Sequence, residues 1–269
     1  MEAVRLATLA MGTRFELVLL GTDPTSLRTI GEAALERIEE THRAFTRFDP
    51  SSLLAHLRRT APALTPVDSD QFALFADALD VADRSEGCFD PALGRRPFAT
   101  ALLLDRATRR VGLAESDTAL DFGAIAKGHA VDLAITVLKE GGVAAAFVHG
   151  GASSGFGFGA CAGQSGWHVG LGPGPNDPTF TLSDQGFSVA GVLSHRNGRR
   201  TPHTVNPRTR RVLRADRRVA VIGPSARLAD AWSTAILVAG ERPPALGGEW
   251  RVWESNSRHQ WIEMEQTGE

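Results

Sequence analysis

The chain has 269 residues, of which 42% are hydrophobic and 22% charged, with a formal net charge of -2. A chain of this length buries roughly three quarters of the surface it exposes when unfolded, so it can carry a full core. The composition excludes disordered, collagen-like and disulfide-scaffold classes, and the mildly acidic balance argues against a general nucleic-acid binder. Two biases stand out. There is no Tyr, and of the 29 basic residues only Lys127 and Lys139 are Lys. That Arg bias gives weight to a Lys in a special place and takes it from any single Arg.

In chain order, Arg14 to Leu20 is strand-like and ends at Gly21. Pro24 to Phe45 is helical, with Leu27, Ile30, Ala34, Leu35 and Ile38 at three- and four-residue spacing, and Asp68 to Arg84 repeats the pattern. Ala101 to Leu113 holds two short strand-like runs. Ile125 to Leu138 is an amphipathic helix stopped by Gly141-Gly142. Val143 to Val148 reads as a buried strand, and Gly150 to Gly166 as a loose Gly-rich segment suited to an active-site loop. Trp167 to Leu171 and Thr179 to Val189 are short strands. Asn197-Gly198, within Leu193 to Val205, signals a hairpin. Val219 to Ile222 is a strand and Leu228 to Val238 a helix. Trp250 to Trp253 and Gln260 to Met264 can pair across Ser255-Asn256-Ser257. The elements interleave without a βαβ period, so α+β is expected over a doubly wound sheet, as one domain over 1–269.

Cys88 and Cys161 are far apart and form no CxxC pair, so neither a disulfide framework nor a zinc site follows. The N-terminus lacks an apolar run followed by a small-residue cleavage site, and no apolar run approaches the roughly 20 residues of a membrane span. A cytoplasmic protein with no membrane anchor and no nucleic-acid partner is expected.

Four runs can carry chemistry. In the first, Leu120 to Asp132 (LDFGAIAKGHAVD), a strand-like segment ends at Gly123 and a helix begins near Ala124. Small residues let a ligand approach the backbone, helix N-terminal amides suit a phosphate, and Lys127 adds a point charge. A plain helix cap with Lys127 in solvent is the equal alternative. In the second, Asp230 and Thr234 of ADAWST lie four apart on one helix face, an oxygen donor pair for a hard cation such as Mg²⁺ or simply the polar edge of an apolar helix. In the third, His203 follows a hairpin and precedes a Pro-fixed turn, as a general base, a phosphate partner or a structural His. Nine Arg between Arg196 and Arg218 make either a solvated face or an anion-attracting rim. In the fourth, Cys88-Phe89-Asp90-Pro91 is a turn that can seat a planar ring and its polar edge, or only end a helix. AMGT at 10–13 and RFDPSS at 47–52 are turn-like and individually weak.

Taken in order, AMGT, RFDPSS, GCFDPALG at 87–94, LDFGAIAKGHAVD, HGG at 149–151, HTVNPRT at 203–209 and the 219–240 segment resemble the FAD:protein FMN transferases, the ApbE-type flavin transferases. The resemblance implies a compact α+β fold with mixed sheets, flanking helices and flavin in a central cleft. It implies an enzyme that uses FAD and Mg²⁺, moves FMN onto a Ser or Thr hydroxyl of an acceptor flavoprotein and releases AMP. By the same resemblance Asp230 and Thr234 hold Mg²⁺ with Ser233 and the backbone carbonyl of Ala124. Asp121 and Lys127 contact FAD. Met11, Phe48, Cys88, Phe89, Asp90 and Thr204 line the flavin or adenine sites, and His203 deprotonates or aligns the acceptor hydroxyl.

The departures from the family pattern are specific. Asn206 and Arg210 stand where the family usually has Asp and Gly, which weakens a partner of His203 and reshapes a turn. Phe48 and His129 stand where it tends to use Tyr. Ala190-Gly191-Val192-Leu193 lacks the family's polar groups, and the stretch between Gly94 and Leu120 is short for it. Two alternatives to transfer stay open: a Mg²⁺-dependent FAD pyrophosphatase giving FMN and AMP, and a non-catalytic FAD-binding homologue.

Overall fold

The computed structural model describes the chain except residues 1, 94–95, 162, 173–176, 197–198, 203, 215, 257–259 and 266–269, and describes 193–202 at backbone level. His203, the expected base, lies outside the described residues.

The first strand, β1 (Glu2–Ala10), was not expected; it pairs antiparallel with β2 (Thr13–Gly21) across Met11-Gly12, both at positive φ. Helix α1 (Pro24–Phe45) starts where the sequence places it. Asp23 caps it by accepting from the Thr25 and Ser26 amides, and Pro24 sits at its first position, where no amide is needed. Its buried residues, Leu27, Gly31, Ala34, Ile38, Thr41 and Phe45, follow the helical period. A short helix missed from sequence, α2 (Leu53–Thr60), is capped by Ser52 and buries Leu54 and Leu57. After β3 (Thr65–Pro66) and α3 (Ser69–Arg84), capped by Asp68, come α4 (Phe98–Ala101), β4 (Leu102–Asp105) and β5 (Arg110–Leu113), the last two being the expected strand runs. Helix α5 (Ala126–Glu140) starts at Ala126, because Phe122 first closes a turn by accepting from the Ile125 and Ala126 amides. The segment before it is no strand; only Leu120 makes a single bridge to Ala92.

Strand β6 (Ala145–Gly150) lies two residues later than expected. The Gly-rich stretch read as loose contains β7 (Ser154–Phe158), all five residues of which are buried. It is Gly-rich because aromatic rings fill its faces: a Cβ at Gly155 would fall 2.6 Å from the Phe187 ring and one at Gly157 2.9 Å from Trp167. Then follow β8 (Trp167–Gly170), β9 (Thr179–Leu182) and β10 (Gln185–Gly191). The expected hairpin is β11 (Leu193–Arg196) with β12 (Arg199–Pro202), and a two-residue ladder joins β13 (Val205–Asn206) to β14 (Arg211–Val212). Strand β15 (Arg218–Gly223) leads to α6 (Ala226–Ala239), which ends at left-handed Gly240. Strands β16 (Arg251–Ser255) and β17 (Trp261–Glu263) pair as expected.

Eight strands form one sheet in the order β1-β2-β6-β7-β10-β15-β16-β17, and all its ladders are antiparallel rather than mixed. On one face Leu17, Leu19, Val148 and Phe156 pack with Ile38 of α1 and Val131, Ala134 and Leu138 of α5. On the other, Phe187, Ala220 and Ile222 pack with Phe180 and Leu182 of β9. A third cluster joins α2, α3 and α6 around Phe75, Phe122 and Trp232 and takes in Leu246, Trp250 and Val252. The α+β class expected from sequence is the class found.

Candidate active site

The site grows from the crossing of α5 and α6. A Cβ on Gly128 would fall 2.5 Å from the Ala226 carbonyl carbon and 2.7 Å from the Arg227 nitrogen, so only glycine allows this approach. The two helices then cap each other. Asp132 of α5 accepts from the Ala226 and Arg227 amides at 2.9 and 3.0 Å and from the Ser225 hydroxyl at 2.7 Å, at the N-terminus of α6. Burial pushes the Asp132 carboxyl up against those bonds. Helix α5 has no side-chain cap of its own. Its cap comes from Asp230 of α6, whose Oδ2 accepts from the Gly128 amide at 3.2 Å.

Asp230 is 4% exposed and its carboxylate is surrounded. Oδ2 also meets Lys127 Nζ at 3.4 Å, and Oδ1 accepts from Ser154 and Ser188 at 3.3 and 3.0 Å. Ser233, itself buried, donates to the Asp230 carbonyl at 2.9 Å, and its hydroxyl oxygen lies 3.4 Å from that of Ser188, so it props the cluster from inside. Thr234 is partly exposed on the same helix. Ser154 and Ser188 were missed from sequence. They face each other across β7 and β10, and the available signal was a hydroxyl inside an otherwise apolar strand.

From this cluster a chain of contacts runs to the surface. Lys127 Nζ donates to the Gly123 carbonyl at 2.7 Å, so Lys127 is not a free solvent-facing cation. The Gly123 amide donates to Asp121 Oδ1 at 2.9 Å, and Asp121 Oδ2 lies 3.2 Å from Arg47 Nε. The Arg47 guanidinium stacks 4.4 Å from the ring centroid of Phe48, which is 80% exposed. The Asp121 amide donates to the Pro91 carbonyl at 2.8 Å, which ties in the 88–91 turn. There Asp90 accepts from the Ala92 and Phe98 amides, and burial pushes its carboxyl up against those bonds. Cys88 and Phe89 turn inward, 3% and 2% exposed. Arg208 reaches Cys88 Sγ at 3.5 Å, which seats the 204–213 segment against this turn. Thr204 donates to the Gly191 carbonyl at 3.1 Å. The Met11 amide donates to His42 in the last turn of α1, the helix that leads into Arg47 and Phe48.

Two of the departures, Asn206 and Arg210, build one turn. Asn206 still builds its turn, with Oδ1 accepting from the Arg208 and Thr209 amides at 2.9 and 3.1 Å. Arg210 takes φ 56°, the left-handed conformation a Gly would supply, and its amide closes on the Asn206 carbonyl at 2.7 Å. His129 is buried with its ring against Phe45 and Nδ1 3.2 Å from Arg227 Nη1. Burial, with the nearby Arg227 and Arg37 charges, lowers its pKa to about 3, so it is neutral.

A cavity of about 530 Å³ is lined by Arg37, Arg43, Asp49, Gln71, Phe45 and His129 rather than by the Asp230 carboxylate. Among the described residues no group of three or more His, Cys, Asp or Glu could hold a metal. Asp230 offers one buried carboxylate, with Thr234 four residues along the same helix, and the Lys127 ammonium 3.4 Å from it shows that positive charge is favoured there.

The family model for the ApbE family matches residues 11–246. A Rhodobacter capsulatus FAD:protein FMN transferase is 27% identical over 86% of this chain; the chain spans half the length of that relative. A Salmonella typhimurium FAD:protein FMN transferase is 25% identical over 86% of this chain and 77% of its own length. The fold is shared with the ApbE protein of Thermotoga maritima (TM-score 0.81, 23% identity, 98% of this chain and 97% of that one). It is shared too with the flavin transferase ApbE of Vibrio cholerae (TM-score 0.81, 19% identity, 99% of this chain and 97% of that one). Apart from Ala10, the motif segments and the helix crossing they build lie inside the matched region, and the chain belongs to the ApbE family.

Proposed function

We propose that this chain transfers the FMN moiety of FAD to a Ser or Thr hydroxyl of an acceptor protein and releases AMP. One observation carries the reading: a buried carboxylate, an ammonium and a helix N-terminus converge at Asp230, Lys127 and Gly128, connected through Asp121 to an exposed aromatic platform at Arg47 and Phe48. That combination suits a dinucleotide whose pyrophosphate lies between planar rings, with the phosphates at Lys127 and one ring on Phe48.

In the reaction the acceptor oxygen bonds to the FMN-side phosphorus, the bond from that phosphorus to the bridging oxygen breaks, and AMP leaves with that oxygen. Lys127 meets the phosphate charge, and Arg47 with Phe48 orients the ring system. Asp121 holds both, by its bond to the Gly123 amide and its pair with Arg47. Met11, Cys88, Phe89, Asp90 and Thr204 shape the walls around the substrate. His203 takes the acceptor proton. Mg²⁺ would be held by Asp230, Thr234 and the Ala124 carbonyl, with Ser233 supporting Asp230, and when bound it neutralises phosphate charge. Among the described residues no helix is long and apolar enough to cross a membrane. We assign the activity to the cytoplasm, in keeping with two unpaired cysteines.

The test is incubation with FAD, Mg²⁺ and a Thr-containing acceptor peptide, followed by mass spectrometry of the peptide and quantification of AMP. FMN on the peptide with one AMP released per transfer supports the reading. AMP and FMN released at the same rate without peptide assigns the chain to FAD hydrolysis instead, and bound FAD without either product makes it a flavin binder.

A further inference from the structure

We propose that the hairpin over the 88–91 turn is the docking surface for the acceptor, and that it selects an acidic polypeptide segment; this rests on the transferase reading above. Between Thr204 and Arg218 there are six arginines and one acidic residue, in a chain whose net charge is -2. The excess is therefore local. Part of it is spent: Arg217 pairs with Glu254, and Arg208 lies 3.9 Å from Glu86 while contacting Cys88. Arg211 and Arg214 are exposed and meet no carboxylate among the described residues.

Beside them stands an apolar pair. Val205 and Val212 are cross-strand partners on β13 and β14, and each is 46% exposed. Partnered valines facing solvent, bordered by unspent guanidinium groups, match a peptide with apolar and carboxylate side chains. The position matches the chemistry. The same hairpin is anchored to the site at both ends, by Thr204 on Gly191 and Arg208 on Cys88, so a segment lying on it is held beside the wall of the proposed flavin site. A hydroxyl carried by that segment approaches from the rim. Acidic flanks would be drawn to Arg211 and Arg214, which the transfer step itself does not need.

The experiment uses the whole chain with FAD and three fluorescein-labelled twelve-residue peptides. Each has a central Thr, flanked by Asp and Glu, by Asn and Gln, or by Lys. Anisotropy should show the acidic peptide binding about tenfold or more tightly than the Asn/Gln peptide, with the preference shrinking as salt rises. Arg211→Glu with Arg214→Glu should lose that preference and gain the Lys peptide. Val205→Ser with Val212→Ser should weaken all three peptides without changing their order. FAD affinity, read from flavin fluorescence, should be unchanged in both variants, which separates lost docking from a damaged fold. Equal binding of acidic and Asn/Gln peptides, or acidic preference kept in the Glu variant, overturns the proposal. So does a single-stranded oligonucleotide that displaces the acidic peptide at lower concentration than the unlabelled peptide does. The two readings fail separately. FMN transfer at equal kcat/KM to acidic and Asn/Gln peptides removes the docking surface and leaves the transferase. Charge-selective binding with no transfer to any peptide does the reverse.

Discussion

Gly128→Ala sets two effects of opposite sign against each other. Alanine favours a helix over glycine by about 1 kcal/mol, so on propensity alone the variant is more stable. The added Cβ would fall 2.5 Å from the Ala226 carbonyl carbon, about 0.9 Å inside ordinary contact, and its nearest neighbours are backbone atoms that cannot rotate away. The helices must part. Overpacking of this kind costs about 1–3 kcal/mol. Parting also stretches the Asp230 bond to the Gly128 amide from 3.2 Å to about 4 Å, and with it the Asp132 cap on α6. Two lost caps add about 1 kcal/mol each. The net expectation is destabilisation by about 2–4 kcal/mol. Urea denaturation reads it as a lower midpoint at unchanged slope. FAD affinity should fall as well, because Asp230 and Lys127 are held by the same crossing. A variant as stable as the parent, or more stable, would refute the reciprocal capping.

Other expectations follow from the same geometry. Asp230→Asn keeps the shape and removes the charge; it should abolish Mg²⁺-dependent AMP release while circular dichroism stays native, and retained Mg²⁺-dependent release would discard the metal assignment. Ser154→Ala with Ser188→Ala strips both hydroxyl donors from Asp230 Oδ1 and should destabilise by about 1–3 kcal/mol, measured by urea midpoint. The depressed pKa of His129 makes stability fall with acid. Its folded value of about 3 lies below the ordinary 6.5, so the unfolded chain takes up the proton first as pH drops through 6.5. His129→Gln should flatten the slope of stability between pH 6.5 and 4, a window over which His129 costs the folded state about 3 kcal/mol. Asp77, Asp90 and Asp132, whose pKa values are raised, act with opposite sign in acid, so the parent-minus-variant difference is the quantity to compare. Arg47→Ala should weaken FAD binding by about tenfold in a fluorescence titration, since it frees Phe48 and leaves Asp121 without its guanidinium; unchanged affinity would remove Arg47 and Phe48 from the platform.

What sequence could reveal divides along physical lines. Long amphipathic helices announce themselves by period, so α1, α3, α5 and α6 were legible to within two residues at each end. Strand β7 was not, because its glycines look like loop residues until Phe187 and Trp167 are placed over them. Helix α2 is too short for a period, and β1 is an edge strand whose exposed side dilutes its apolar residues. In the site, Lys127 and Asp230 stood out as residue types at suitable spacing. Their meeting did not, being 103 residues apart, and neither did the serines that join them from strands 76 and 42 residues away. Gly128 and Asp132 were visible as letters of a motif. Their work, docking one helix start against another, needs the crossing itself.

The transferase reading places phosphate chemistry at the Asp230–Lys127 crossing. A crystal structure of the chain soaked with FAD and Mg²⁺ tests it most directly. The pyrophosphate is expected beside Lys127, with the cation between phosphate oxygens and the Asp230 carboxylate, and the flavin or adenine ring against Phe48. A pyrophosphate bound instead among Arg37, Arg43 and His129, in the cavity behind Phe45, would contradict it.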